Sequence, residues 1–425
     1  MENINSLVNV SVFGNPENQK KSRIKIRELA ARAGIYPASI HTLYLGFGKG
    51  ELGGFSVPAI NIRNMTYDFA RLVFRLAKEL HIGPFIFEIA RGEVGYTDQT
   101  HDEYATSVLA AAVSEQWKGP VFIQADHTQF SAPKFQEDPQ GQLETLKSFI
   151  KSAIDAGFYN IDIDASTLVD LGKTSLNEQQ KNNAEMTAAL TAYVRSIEPS
   201  DVTVSVGAEI GHIGGKNSTV EEFEAFMQLF ISDLTSQFAL FPLIKEKYYK
   251  GTIPHLSKIS VQTGTSHGGI MLKDGSMQAV AIDFDVHTGI GKSAREKYGM
   301  GGPVQHGAST VPVEFFHKFV ESKAIEVHLA TGFQNIMYSA MPEQLKREMG
   351  TWLDANCASE KKEGQTHEQF LYVTRKKANK PFKKVLWQLS DEEKKPILQG
   401  LEKELRELFS QLHLENTDKM IKKYV

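Results

Sequence analysis

Through the first 340 residues, short apolar runs bounded by turn residues alternate with segments whose apolar positions recur at helical spacing. The runs cover Phe55–Ile62, Pro84–Ala90, Val121–His127, Asn160–Ser166, Thr203–Gly211, Lys258–Ser266, Gly302–Gly307 and Ala324–Gly332. Runs this short and this apolar predict strands covered on both faces. Between them, Phe69, Leu72, Val73 and Leu76 form one helical stripe. Leu143, Leu146, Phe149, Ile150 and Ile154 form another, which stops at Gly157, a helix C-terminal signal. Thr219 followed by Glu222 reads as a capping box that opens a third helix.

Eight strands alternating with helices imply parallel strands joined by crossovers. Eight is the number that closes a (β/α)8 TIM barrel. An open doubly wound sheet is the alternative, weakened because no G-x-G-x-x-G opens any helix. The expected organisation is an N-terminal lead-in over 1–50 with one helix at Ile24–Ala33, a barrel over 51–340, and a helical extension over 341–425. In that extension Ile397, Leu401, Leu405 and Leu408 repeat near helical spacing, and it reads as a packing or subunit-contact element.

A barrel of this kind carries its chemistry at the C-terminal ends of its strands. There the sequence places Asp126-His127, Asp164-Ala165-Ser166, Glu209, His267, His306 and His328 with Thr331. The chain has 13 histidines, and four of them fall at predicted strand ends. One such histidine is better read as a hydrogen-bonded strand end; His127, His267 and His306 together, with or without Glu209, read as a nitrogen-rich divalent-metal site that suits Zn2+. Glycines and hydroxyls beside them, Gly268, Gly307, Ser309 and Thr331, suit an anion cradle at the last strands. The stretch VFIQADHTQF adds a geometric demand. Neighbouring strand residues point to opposite faces, so the strand must bend or end for Asp126 and His127 to serve one site.

Composition narrows the class. A net charge of −4 gives no electrostatic case for nucleic acid or an anionic membrane. A single cysteine, Cys357, excludes an intrachain disulfide and a thiolate cluster. No apolar run reaches the ~18 residues that span a bilayer, and the N-terminus lacks a basic-then-apolar leader, so a cytoplasmic protein is expected.

At these residues the chain resembles the class II, metal-dependent ketose-bisphosphate aldolases, the fructose- and tagatose-bisphosphate aldolase type. The shared motifs are VPAINIRNM in the first strand, Asp126-His127, IDAS at Ile163–Ser166, EIGHIGG at Glu209–Gly215, TSHGG around His267 and QHGAS at Gln305–Ser309. They keep their order from Phe55 to Thr331. The resemblance implies a lyase that cleaves or forms a C–C bond in a phosphorylated ketose through a metal-stabilised enediolate. It implies Zn2+ on His127, His267 and His306, with Glu209 at an acidic position that is a ligand in some branches. It implies Asp126 as the acid/base, and Gly268, Gly307, Ser309, Thr331, His328 and Asn61 around substrate and phosphate. It further implies a homodimer or higher homo-oligomer and, as in relatives, a monovalent cation.

The departures are local. The family's N-I-D-T-D is HLATG here, so His328 replaces a substrate-reading asparagine, and Ala330 and Gly332 replace two aspartates. Ala90 stands for a serine, and Ala308 for a glycine. The metal residues are kept while the substrate shell is altered. Alternatives therefore stay open: the same site acting on a non-standard sugar, an epimerase that shares the enediolate, or a non-catalytic aldolase-like subunit.

Overall fold

The computed structural model describes residues 3–211, 216–238, 248, 254–265, 271–272, 274, 278 and 281–424. Nine strands form one parallel sheet: β1 (Ile35–Ala38), β2 (Val57–Asn61), β3 (Ile86–Ala90), β4 (Gly119–Gln129), β5 (Asn160–Asp164), β6 (Ser205–Glu209), β7 (Lys258–Val261), β8 (Gly302–Gln305) and β9 (Glu326–Leu329). Strands β2 to β9 run around in the order β4-β3-β2-β9-β8-β7-β6-β5, and β4 pairs with β5 to close a (β/α)8 TIM barrel. The eight predicted strands are these eight.

The lead-in differs from expectation. It holds three helices, Ile4–Phe13, Pro16–Arg32 and His41–Gly48, and β1 as a ninth strand. Strand β1 is four residues long and carries Pro37 and an exposed Tyr36, so it lacks the buried run that marks the barrel strands. It pairs with Gly119–Phe122 of β4; from Gln124 onward β4 pairs with β5 instead. One strand thus serves first the lead-in and then the barrel seam.

The helical signals are realised by their own chemistry. The stripe containing Phe69 becomes helix Thr66–Glu79, with all four stripe residues buried. Helix Pro139–Asp155 ends before Gly157, whose φ of +92° is a left-handed conformation that glycine adopts without strain. Thr219 and Glu222 make the reciprocal capping bonds, 3.0 and 3.2 Å, ahead of helix Val220–Phe238.

The barrel interior is polar where an apolar filling is usual. Lys258 Nζ, on β7, reaches Gln124 (2.7 Å), Asp162 (2.9 Å) and Glu326 (2.5 Å) across the lumen, and the Tyr44 hydroxyl donates to Glu326 from the bottom. Gly207 makes this possible, because a Cβ there would lie 2.3 Å from Asp162 Oδ1 and 2.8 Å from Lys258 Cε.

After the barrel, helices Glu343–Cys357, His367–Thr374, Asn379–Trp387 and Asp391–Gln411 wrap back over the molecule. Long-range contacts fix them: Arg406 to Glu79 (2.9 and 2.8 Å), Lys383 to Glu103 (2.7 Å), and Tyr424 OH to Glu51 (2.7 Å). Leu401, Leu405 and Leu408 are fully buried or nearly so beneath them.

Removing Lys258 leaves the Asp162 and Glu326 carboxylates buried without their cation. Lys258→Met is expected to lower unfolding free energy by about 3–5 kcal/mol, read by chemical denaturation. Two histidines away from the lumen set an acid limit. His101 sits 3.0 Å from Ser152 Oγ and His287 3.1 Å from Ser322 Oγ, and burial pushes each imidazole down to about 4. In the unfolded chain each titrates near ~6.5. Their contribution is therefore complete above that value and is lost as pH falls toward 4, on the order of 3 kcal/mol each. Urea unfolding followed from pH 7 to 4.5 checks it: His287→Gln and His101→Gln should each flatten the loss relative to the parent.

Candidate active site

Strand β4 runs through Asp126 and His127 to Gln129, further than the sequence suggests, and resolves the demand on that pair with a bulge. Ala125 pairs with Ile161 and Thr128 with Ile163, so Asp126 and His127 together oppose one residue of β5. His127 takes a φ of +42°, a strained value for a residue with a Cβ. The extra residue turns both side chains to the same cluster: His127 Nε2 lies 3.7 Å from Asp126 Oδ2.

Two sets of ligand atoms converge there, each within 4.8 Å of one another: His127, Glu209 and His306 above, and Asp126, Asp162, His306 and His328 below. In the upper set His127 Nδ1 stands 3.5 Å from Glu209 and 3.3 Å from Asp164, and His306 Nδ1 stands 3.6 Å from Glu209. The His127 and His306 ring centroids are 4.6 Å apart. His267 and Gly268 lie outside the described residues.

Charge separates the two sets. Glu88, Asp126, Asp162, Asp164, Glu209 and Glu326 are all at most 5% exposed, and among the described residues Lys258 is the one lysine in ion-pair range of any of them. In the lower set Asp162 already has Lys258, and His328 has Glu88 (2.9 Å) and Glu326 (2.7 Å). In the upper set Glu209 has His127 and His306 in ion-pair range and, among the described residues, no lysine or arginine. Burial, with Asp164 adding, holds the Glu209 carboxyl well above its ordinary range. Burial alone would lower His127, but Asp126, Asp164 and Glu209 raise it well above its ordinary value. Asp164 goes the other way: burial opposes its charge, and bonds from His127, Ser166 and Gln129 bring it to about 2. Glu88 is pushed up to about 8 by burial, with Asp126 adding. A donor set of two imidazoles and a carboxylate, in surroundings short of positive charge, fits a divalent metal.

The remaining predicted residues occupy the same mouth. Gly307 follows β8 with a φ of +69°, and Ser309 Oγ accepts from the Ala330 N–H at 3.2 Å, tying the ends of β8 and β9 together. Thr331 opens the helix Thr331–Ala340. Asn61 ends β2; its amide donates to Glu93 at 2.6 Å, while its Oδ1 has no hydrogen-bond partner among the described residues.

A cleft of about 1130 Å³ opens above the cluster, within reach of the small-molecule class. Its rim holds what sequence reasoning missed. Arg63 is clamped by Glu93 (2.7 Å) and Gln334 (2.7 Å). Tyr372, Arg375 and Lys376 come from the C-terminal extension, so that extension lines the cleft in addition to packing. Arg375 is 8% exposed, stacks 4.2 Å from the Tyr372 ring, and donates to Asn335. Arg91, Arg375 and Lys376 have no carboxylate in ion-pair range among the described residues. The only advance signal was the aromatic-basic run YVTRKK.

No curated protein matches the chain in sequence. Among solved structures, a Coccidioides immitis protein described as a fructose-1,6-biphosphate aldolase is 17% identical, with a TM-score of 0.51, over 89% of this chain and 97% of its own. A Sinorhizobium meliloti protein described as a tagatose 6-phosphate kinase is 12% identical, with a TM-score of 0.56, over 87% of this chain and 99% of its own. At those identities the likeness carries the fold alone. The sequence pattern of fructose-bisphosphate aldolase class-II spans residues 47–394, from the lead into β2 to the start of the last long helix, and the chain therefore belongs to that family.

Proposed function

We propose that this protein is a zinc-dependent lyase that cleaves or forms a C–C bond in a phosphorylated ketose. One observation carries the reading: the β4 bulge brings Asp126 beside the converging His127, Glu209 and His306, so a buried carboxylate and a metal-ligand cluster share one cleft. His127, His306 and His267 would hold the ion, with Glu209 a ligand or its close neighbour. When bound, a divalent cation supplies Lewis acidity toward a substrate carbonyl and its neighbouring hydroxyl.

The chain's own groups do the rest. Asp126 takes the proton from the hydroxyl next to the scissile bond. The O–H electrons become the new aldehyde carbonyl, and the C–C pair passes to the carbonyl-bearing fragment, which leaves as a ketone after that carbon takes up a proton; condensation runs the same transfers in reverse, with Asp126 returning its proton to the new hydroxyl. Gly307, Ser309 and Thr331, beside the start of the Thr331–Ala340 helix, suit the phosphate, and no Schiff-base lysine is required. Lys258, the lysine in the lumen, is held by Asp162 and Glu326 and is 1% exposed. Arg91, Arg375 and Lys376 on the rim favour an anionic substrate. Ala330 and Gly332, which stand for two aspartates, favour a ketose other than fructose 1,6-bisphosphate.

Product analysis on a panel of ketose phosphates tests the reaction, because a lyase releases two fragments and an epimerase returns one isomer. Asp126→Asn should retain the metal and lose about 10²–10⁴-fold in kcat; turnover near the parent level would remove Asp126 from its role. A tight chelator should abolish turnover, and stoichiometric Zn2+ should restore it. Full activity in chelator with no metal in elemental analysis would end the zinc reading.

A further inference from the structure

His328 occupies a β9 position where the resemblance implies a substrate-reading residue, yet its surroundings are those of a wedge in the cleft floor. The ring is 6% exposed. Nδ1 lies 2.9 Å from Glu88 and Nε2 lies 2.7 Å from Glu326, ion-pair contacts that occupy both edges of the imidazole. Asp162 stands 3.7 Å from Nε2, and the His306 ring lies 4.0 Å away, centroid to centroid, tilted by 60°. Neither contact is aligned as a hydrogen bond, but both nitrogens are buried and each faces a protein carboxylate at ion-pair distance, which turns the edges of the ring away from a substrate hydroxyl.

The next group along the Nδ1 edge is Asp126 Oδ1, at 3.5 Å. That oxygen is buried and has no hydrogen-bond partner among the described residues; His306 Nε2 stands 4.0 Å from it. Glu88 and Asp126 stand on adjacent strands, where Glu88 pairs with Gln124 and Ala90 with Asp126. Two carboxylates so placed repel each other through a low-dielectric interior, and the same imidazole edge faces both. Without the ring, the Asp126 carboxylate loses the imidazole that stands between it and the Glu88 and Asp162 carboxyl groups. Glu326 anchors the far edge of the ring and is itself held by Lys258, Gln124 and Tyr44, so the wedge rests on the whole lumen network.

We propose that His328 is a positioning residue for Asp126: wedged between Glu88, Glu326 and Asp126, it holds the Asp126 carboxylate toward the metal cluster and makes no substrate contact. This rests on the reading of Asp126 as the proton-handling group. The positioning role arises from residues that this chain has changed. An asparagine at 328 is too short to bridge Glu88 and Glu326.

The test compares zinc-loaded parent and His328→Asn. Crystal structures report the place of Asp126, elemental analysis reports the metal, and kinetics use a ketose phosphate that the parent cleaves. The expected result is unchanged zinc stoichiometry, Asp126 turned away from its parent position, kcat lower by roughly ten- to a hundredfold, and KM within about twofold of the parent. A raised KM with kcat preserved would make His328 a substrate reader and overturn the proposal, as would an unmoved Asp126. If the parent cleaves no ketose phosphate, the functional reading fails, and the position of Asp126 alone then decides this one. If His328→Asn does not fold, Glu88→Gln, which keeps the shape and loosens one side of the wedge, is read in the same way. It should displace Asp126 and lower kcat at constant KM; a parent-like result would overturn the proposal.

Discussion

A parallel barrel buries its lumen on every side, and a carboxylate placed there loses solvation worth several kcal/mol. This chain puts six around one lumen and mouth and, among the described residues, sets one lysine in ion-pair range of them. The rest of the arrangement answers that imbalance. Lys258 neutralises the bottom through Asp162 and Glu326, and Tyr44 plugs the lumen from below. His328 spreads between Glu88 and Glu326 in the middle. At the top, His127 and His306 stand among carboxylates with no lysine or arginine in ion-pair range among the described residues, and that is where a cation fits. The gradient of counter-charge points the cluster at the cleft: among the described residues a lysine answers the carboxylates below, and histidines face those above.

The β4 bulge makes the top of this gradient usable. A regular strand would send Asp126 and His127 to opposite faces, one into the lumen and one into the helical shell. The inserted residue, at the cost of a left-handed φ on His127, sends both to the cluster. Strain of this kind is kept where the surrounding structure over-determines it. Here β3 on one side, and β1 followed by β5 on the other, hold β4 along its length.

Much of this was legible in the sequence because burial writes plainly. Two-faced strands are short apolar runs, and the eight barrel strands were found by that signal. Strand-end chemistry was legible because imidazoles are scarce, and the ADH stretch even announced that the backbone must deviate. What stayed hidden has physical reasons. Strand β1 is short and half exposed, so it has no periodicity to read. Glu88, Asp162, Glu326 and Lys258 sit inside otherwise apolar runs, and nothing in one dimension tells a lumen-facing charge from a solvent-facing one. Arg375 and Lys376 looked like any basic helix end, because their arrival at the cleft depends on how the extension folds back.

That folding back has a consequence in time. The C-terminal helices reach segments far back along the chain: Tyr424 bonds Glu51 across 373 residues, and Arg406 bonds Glu79 across 327. On a ribosome the barrel strands emerge first and the wall of the cleft last. A nascent chain therefore carries its strand-end cluster under an incomplete roof until Tyr372, Arg375 and Lys376 have been added, and contacts so far apart in sequence close slowly. The cleft is completed only after the barrel beneath it, so substrate capture waits on the extension folding back.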